Sequence, residues 1–246
     1  MCYAGNPLLG RFKRSGDCDT LAPMLAVKIK ICGITNLDDA AVAAGAGAHY
    51  LGFIFWPKSQ RAVTATAARD IARALRARPA CPTLVGVFVD ESAEHMASVL
   101  DRCGLDLAQL SGDEPPALIG DPQSPLYGRS FKVLHPTSLA EALADAEWYA
   151  PPNEHGDHPS LLLDAFHPKL PGGSGLHADW QIAARVAQVI PRMMLAGGLT
   201  PQNVRQAIEE VQPFAVDVAS GVESGPGRKD HGLVKEFISA VRAACQ

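Results

Sequence analysis

Cys32 closes a run of β-forming residues, "VKIKIC" (27–32), and is followed at once by glycine and by the helix-like segment "ITNLDDAA" (34–41). A thiol is a useful base or nucleophile only where positive charge or backbone N–H groups favour the thiolate. The plainer reading of a lone cysteine is a small buried hydrophobe. Asp164 ends a second apolar run, "SLLLD" (160–164), which would carry its carboxyl into a partly desolvated site. Desolvation favours the protonated carboxyl and suits it to proton donation; the alternative is a helix cap or a loop ion pair. A thiol base and a carboxylic acid on different strands could handle proton traffic on a sugar-like substrate. Arg61 ends "FWPKSQR" (55–61), and a fixed guanidinium there can clamp a carboxylate in two-pronged fashion. Lys58 reads as an exposed charge.

Two glycine-bearing stretches, "LAGGLTPQNV" (195–204) and "VASGVESGPGRKD" (218–230), put Gly197, Gly198 and Gly221 between a strand and a helix start. Backbone N–H groups there can approach an anion closely. Tight turns are the competing explanation, but two such loops in succession favour a phosphate cradle. "GGSG" (172–175) lacks the lysine of a nucleotide loop and reads as a hinge of a mobile lid. His155 and His158 form an H-x-x-H pair in a proline-rich loop with no third ligand nearby, so no metal is expected.

These groups need elements to hold them. Short apolar runs recur at 27–32, 49–55, 83–89, 106–110, 129–134, 160–164, 192–196 and 214–219. Several are apolar almost throughout, as suits strands covered on both faces of a parallel sheet. Helix signals lie between them. Thr35 and Asp38 read as a capping box. Residues 65–78 repeat Ala, Ile and Leu at helical spacing and stop at Pro79, and 91–104 end on Gly104. Thr200 with Pro201 reads as an N-cap and first helical position. A last helix from near Asp230 puts Leu233, Val234, Phe237, Ile238 and Val241 on one stripe.

Eight strands alternating with about eight helices fit a (β/α)8 TIM barrel or an open doubly wound sheet. No G-x-G-x-x-G follows the first strand, which removes the main support for a dinucleotide fold. The 246-residue length matches a single-domain barrel of about 250 residues. Barrel active sites lie at the C-terminal strand ends, which here carry Cys32, Lys58 and Arg61, Asp90, Ser111-Gly112-Asp113, His135, Asp164, Gly197-Gly198 and Ser220-Gly221.

Residues 1–25 read as a disordered N-terminal tail ahead of a catalytic domain at 26–246, with Met24 a candidate start. The composition is 47% hydrophobic and 20% charged, enough for a sizeable core, and the net charge of −4 disfavours nucleic acid or an anionic membrane as partner. Six irregularly spaced cysteines without a C-x-x-C pair suit a reducing compartment, and no apolar run approaches the roughly 18 residues of a membrane span. A cytoplasmic location is expected.

In order, "VKIKICGITNLDDA", "LGFIFWPKSQR", "VGVFVD", "LAQLSGDE", "LLLDA" with "GGSG", "LAGGLTPQNV" and "VDVASGVESGPGRKD" resemble the signature segments of the phosphoribosylanthranilate isomerase family of tryptophan synthesis, over roughly residues 27–240. The resemblance implies a cofactor-free Amadori rearrangement of a phosphorylated sugar–anthranilate by a monomer or homodimer. It implies Asp164 as general acid, Cys32 as general base and Arg61 as the clamp on the anthranilate carboxylate. Gly197, Gly198, Ser220 and Gly221, with the loop Gly173, Ser174 and Gly175, would form the phosphate cradle and lid. One departure stands out: Ser111 occupies the place of a histidine in the family's "QLHGDE"-like segment. A related sugar-phosphate isomerase of histidine synthesis would use aspartates at strands one and five, where this chain has Cys32 and His135. A non-catalytic phosphometabolite-binding barrel would have no need of both Cys32 and Asp164.

Overall fold

The computed structural model describes residues 26–150, 158–165, 175–190 and 192–245, with side chains throughout except at 175–179. The tail at 1–25, His155 and the residues Gly173 and Ser174 therefore lie outside the described residues.

The apolar runs form β1 (Lys28–Cys32), β2 (Tyr50–Ile54), β3 (Thr83–Phe88), β4 (Leu107–Leu110), β5 (Ser130–Leu134), β6 (Leu161–Asp164), β7 (Met193–Ala196) and β8 (Ala215–Val218). Each pairs in parallel with the next, and β8 returns to β1 to close the barrel. Outside them lie α1 (Leu37–Ala46), α2 (Ala65–Arg76), α3 (Ala93–Cys103), α4 (Ala117–Gly120), α5 (Leu139–Tyr149), α6 (Gly175–Val189), α7 (Val204–Val211) and α8 (His231–Ala244). None of the described helices is long and apolar enough to cross a membrane.

Successive strand residues face opposite sides, so each strand feeds two apolar layers. Ile29, Ile31, Leu51, Phe53, Leu161 and Leu163 point outward and pack with helix residues such as Phe237 and Ile238. Tyr50, Val85, Leu107, Phe131, Val133, Leu162 and Met194 fill the barrel interior. This double covering is why the strands read as continuous apolar runs. It also fixes which polar residues face inward. Lys30 and Cys32 share the inward parity of β1, and Asp164 shares that of Leu162.

Helix ends follow local chemistry, with two corrections to the sequence reading. The cap of α1 is Asn36, not Thr35: the Asn36 side chain accepts from the Asp39 N–H, and its amide donates to the Asp39 carboxylate. Thr35 instead donates its hydroxyl to the Gly227 carbonyl. The helix expected from Pro201 begins at Val204, because Asn203 accepts from the Thr200 N–H and folds residues 200–203 into a turn. The last helix starts next to Asp230 as expected, and Asp230 caps it by accepting from the N–H groups of Gly232 and Leu233.

Between β8 and α8 a short 3-10 turn (Ser220–Val222) leads into a hairpin of β9 (Glu223–Gly225) and β10 (Arg228–Lys229). Asp39 ties that hairpin to α1. Its carboxylate accepts from the Lys229 backbone N–H at 2.9 Å, from Asn36 at 2.7 Å, and meets His231 Nε2 at 2.9 Å. Burial opposes ionisation of Asp39, but these hydrogen bonds prevail and hold it below its ordinary value of 3.8. A carboxylate of depressed pKa stabilises the fold above its unfolded value and loses that contribution as the pH falls through the folded one. Asp39→Asn should therefore cost about 2 kcal/mol at pH 7, a fall of about 4–8 °C in melting temperature. The gap to wild type should narrow as melts are taken from pH 5 to below pH 3.8, and a gap independent of pH would contradict this account.

Candidate active site

The strands all run the same way, so Cys32, Asp164 and the loops after β2, β7 and β8 open on one mouth. Cys32 is the last residue of β1 and only 5% exposed. One inward step deeper on the same strand lies Lys30, fully buried, with its ammonium 3.0 Å from the Asp217 carboxylate on β8. Burial opposes the charge on Lys30, and the neighbouring Asp217, then Cys32, outweigh it and raise its pKa. The lysine is therefore a resident cation inside the barrel.

Gly52 on β2 pairs directly with Cys32. A Cβ there would lie 2.7 Å from the Cys32 sulfur and 3.2 Å from Lys30 Nζ. The missing side chain leaves the notch that both groups occupy. The Cys32 thiol is pushed up by burial first, drawn down by Lys30, pushed up by Asp217 and drawn down by Lys229, with a net rise above 9.0. Burial thus favours its protonated form.

Arg61 sits on the loop after β2 and bends back over Gly33. That glycine has φ +78°, and a Cβ on it would meet the Arg61 side chain at 2.9 Å. The guanidinium grips Glu223: Nε lies 3.0 Å from both carboxylate oxygens and Nη2 lies 2.7 Å from Oε2. Lys229 donates to the same carboxylate at 2.9 Å and to the Ala219 carbonyl at 3.0 Å. Burial works against ionised Glu223, but hydrogen bonds and charge from Arg61 and Lys229 hold it below the ordinary 4.5. Arg61 is thus fixed at the rim by the hairpin.

The glycine loops after β7 and β8 meet each other. Gly197 and Gly198 adopt φ +99° and +63°, and Asn203 donates to the Gly198 carbonyl at 3.0 Å. Gly221 sits in the 3-10 turn with Ser220, and a Cβ on it would fall 1.9 Å from the Leu199 carbonyl oxygen. Only a glycine lets the two loops touch. Of the third stretch, Gly175 is the first residue of α6.

Other candidates at the strand ends have different work. Asp90, at φ +55°, accepts from the Asp113 N–H at 2.6 Å and braces the loop after β4. Buried Glu114 accepts from the N–H groups of Asp90 and Gly112 and from the Lys132 ammonium at 2.8 Å. His135 and Lys58 are exposed. Ser111 accepts from buried Gln109 at 3.3 Å. Among the described residues no cluster of His, Cys, Asp and Glu could hold a metal.

The structure thus sets Cys32, Asp164, Arg61 and the glycines after β7 and β8 at one end of the barrel, and it adds Lys30, Asp217, Glu223 and Lys229, which the sequence reading did not single out. A signal for the first two was present: Lys30 is two residues before Cys32 and Asp217 interrupts an apolar strand, so both had inward parity.

Comparison with known proteins identifies the family. A family model described as N-(5'phosphoribosyl)anthranilate (PRA) isomerase matches residues 29–240. The N-(5'-phosphoribosyl)anthranilate isomerase of Geobacter sulfurreducens is 45% identical over 212 residues, covering 86% of this chain and 97% of that protein. Its counterpart from Roseiflexus castenholzii is 43% identical, covering 89% and 99%. The crystal structure of phosphoribosyl anthranilate isomerase from Thermotoga maritima superposes with a TM-score of 0.73 at 34% identity, covering 88% of this chain and 99% of that one. A crystal structure of such an isomerase in complex with reduced 1-(o-carboxyphenylamino)-1-deoxyribulose 5-phosphate gives 0.71 at 34% identity over the same shares. The chain belongs to the N-(5'-phosphoribosyl)anthranilate isomerase family.

Proposed function

We propose that this chain isomerises N-(5-phosphoribosyl)anthranilate to 1-(2-carboxyphenylamino)-1-deoxyribulose 5-phosphate in tryptophan biosynthesis, with Cys32 as general base and Asp164 as general acid. The observation that carries the reading is a strand-end thiol, set among Lys30, Lys229 and Arg61, that opens on the same mouth as a strand-end carboxyl. The solved relative holding the reduced form of this product supports the choice of substrate.

In the proposed sequence Asp164 gives its proton to the furanose ring oxygen as the C1–O bond breaks, leaving a Schiff base between C1 and the anthranilate nitrogen. Cys32 removes the C2 proton, and the C–H electron pair becomes the C1=C2 bond of an enolamine. Tautomerisation of the C2 enol to the ketone, with a proton delivered to C1, completes an isomerisation in which no atom is gained or lost. Acid and base on separate strands can have their environments set apart. The thiol of raised pKa needs help to ionise, and the surrounding cations offer it. Phosphate on the loops carrying Gly197, Gly198, Ser220 and Gly221, and carboxylate on Arg61, would anchor the two ends of the substrate and orient the reacting carbons between them. The hold of Glu223 on Arg61 keeps the guanidinium in place before substrate arrives. The Gly173–Gly175 loop is proposed as the lid.

Loss of anthranilate-type fluorescence when the protein meets freshly generated phosphoribosylanthranilate tests the reaction. Cys32→Ala and Asp164→Asn should each lower kcat by at least about 10²-fold with unchanged circular dichroism, as removal of a general acid or base does. Near-normal turnover by either variant would remove that residue from the mechanism, and a well-folded wild type without turnover would remove the reaction. Arg61→Met should act mainly on KM, raising it about tenfold or more, as loss of a charge-assisted contact of about 1.5–3 kcal/mol implies. A change confined to kcat would argue against a clamp.

A further inference from the structure

We propose that Lys30, held by Asp217 and admitted by the gap at Gly52, is the positioning residue that stabilises the Cys32 thiolate. The inference rests on the assignment of Cys32 as base and extends it to residues behind the thiol.

Three observations carry it. Lys30 is fully buried inside a barrel whose interior is otherwise filled largely by apolar side chains, and such a charge persists only with a partner, here the directly paired Asp217. Its bond to Asp217 directs the ammonium along the inner wall, on the same face of β1 as Cys32. The one side chain that would separate ammonium from sulfur, at position 52, is absent, and any Cβ there would press on both atoms. A lysine serving only as the partner of Asp217 would not need that gap. The charged groups around the sulfur come from every side: Lys30 on its own strand, Asp217 on β8, Lys229 on β10 and Arg61 after β2. Asp164 ends β6 at the same mouth. Lys229 and Arg61 are both committed to Glu223, a neutralising carboxylate. Lys30 is therefore the cation best placed to answer the charge that appears on sulfur when the C2 proton is taken. Its own counter-ion, Asp217, fixes its place.

The test is a titration of Cys32 that does not depend on turnover. Thiolate absorbance near 240 nm is followed from pH 6 to 11 in the full chain, and the same curve for Cys32→Ser is subtracted to isolate this thiol. In Lys30→Met the midpoint should rise by at least one pH unit, a tenfold or greater fall in thiol acidity, and the rising limb of kcat against pH should move with it. Because Lys30→Met leaves Asp217 buried without its partner, the comparison is repeated between Asp217→Asn and the double variant Lys30→Met/Asp217→Asn, where the same upward shift is expected. Gly52→Ala, which leaves every charge in place, should lower kcat by crowding the sulfur while the fold is retained. If the Cys32 midpoint is unmoved by loss of Lys30 in both backgrounds, the lysine is only a structural partner of Asp217 and the proposal falls. If the midpoint moves but wild type does not isomerise phosphoribosylanthranilate, the coupling stands and the functional reading fails instead.

Discussion

A lysine ammonium inside a closed barrel must have a carboxylate to live beside. Lys30 and Asp217 meet that requirement across the β1–β8 seam, where the barrel closes. Replacing one member of such a pair by an apolar residue is costly because the other is left buried and charged. The pair thus fixes the seam's register chemically as well as through its ladder. The residue above it, Cys32, inherits a defined position and a cationic floor. The notch at Gly52, the orientation of the thiol and the charge around it all follow from accommodating this one ion pair.

A second set of charges frames the rim. Arg61, Glu223 and Lys229 form a cation–anion–cation arrangement in which the central carboxylate is nearly inaccessible, at 4% side-chain exposure. Each member is restrained by another, and the hairpin they hold is also tied down by Asp39. On the far side Lys132, Glu114 and Asp90 do the same for the loop after β4. The mouth is therefore bordered by loops braced with buried charges, and its apolar interior supplies the low-dielectric floor that makes those charges effective.

Much of this was legible in the residues. The eight strands were readable because both faces are covered, which leaves an unbroken apolar signal. The places of Cys32 and Asp164 at strand ends, and of Arg61 on the loop after β2, were readable, but position alone left each a structural alternative and only the family resemblance implied a specific role. The buried partners were harder to see. Lys30 and Asp217 lie inside strands and gain meaning only when closure brings β8 against β1, which a linear reading does not reveal. Glu223 and Lys229 looked like ordinary polar residues of a glycine-rich loop until the hairpin set them against Arg61. The two helix starts were displaced for a local reason. Both Asn36 and Asn203 have amides that can satisfy backbone groups better than the threonines preceding them, and the hydroxyl of Thr35 is claimed by a carbonyl from the far end of the chain.

That long reach has a consequence for how the protein comes into being. Lys30 and Asp217 are 187 residues apart in sequence, and the Asp39 contact to the Lys229 backbone spans 190. Closing so long a loop is entropically demanding and slow compared with forming neighbouring strand–helix units. During synthesis β1 leaves the ribosome early, carrying a lysine and a cysteine whose neighbours do not yet exist. The electrostatic setting of the thiol is assembled only when the last fifth of the chain has emerged and docked. A truncated or half-folded chain would hold an ordinary cysteine, so the charged surroundings of Cys32 are themselves a mark of completed folding.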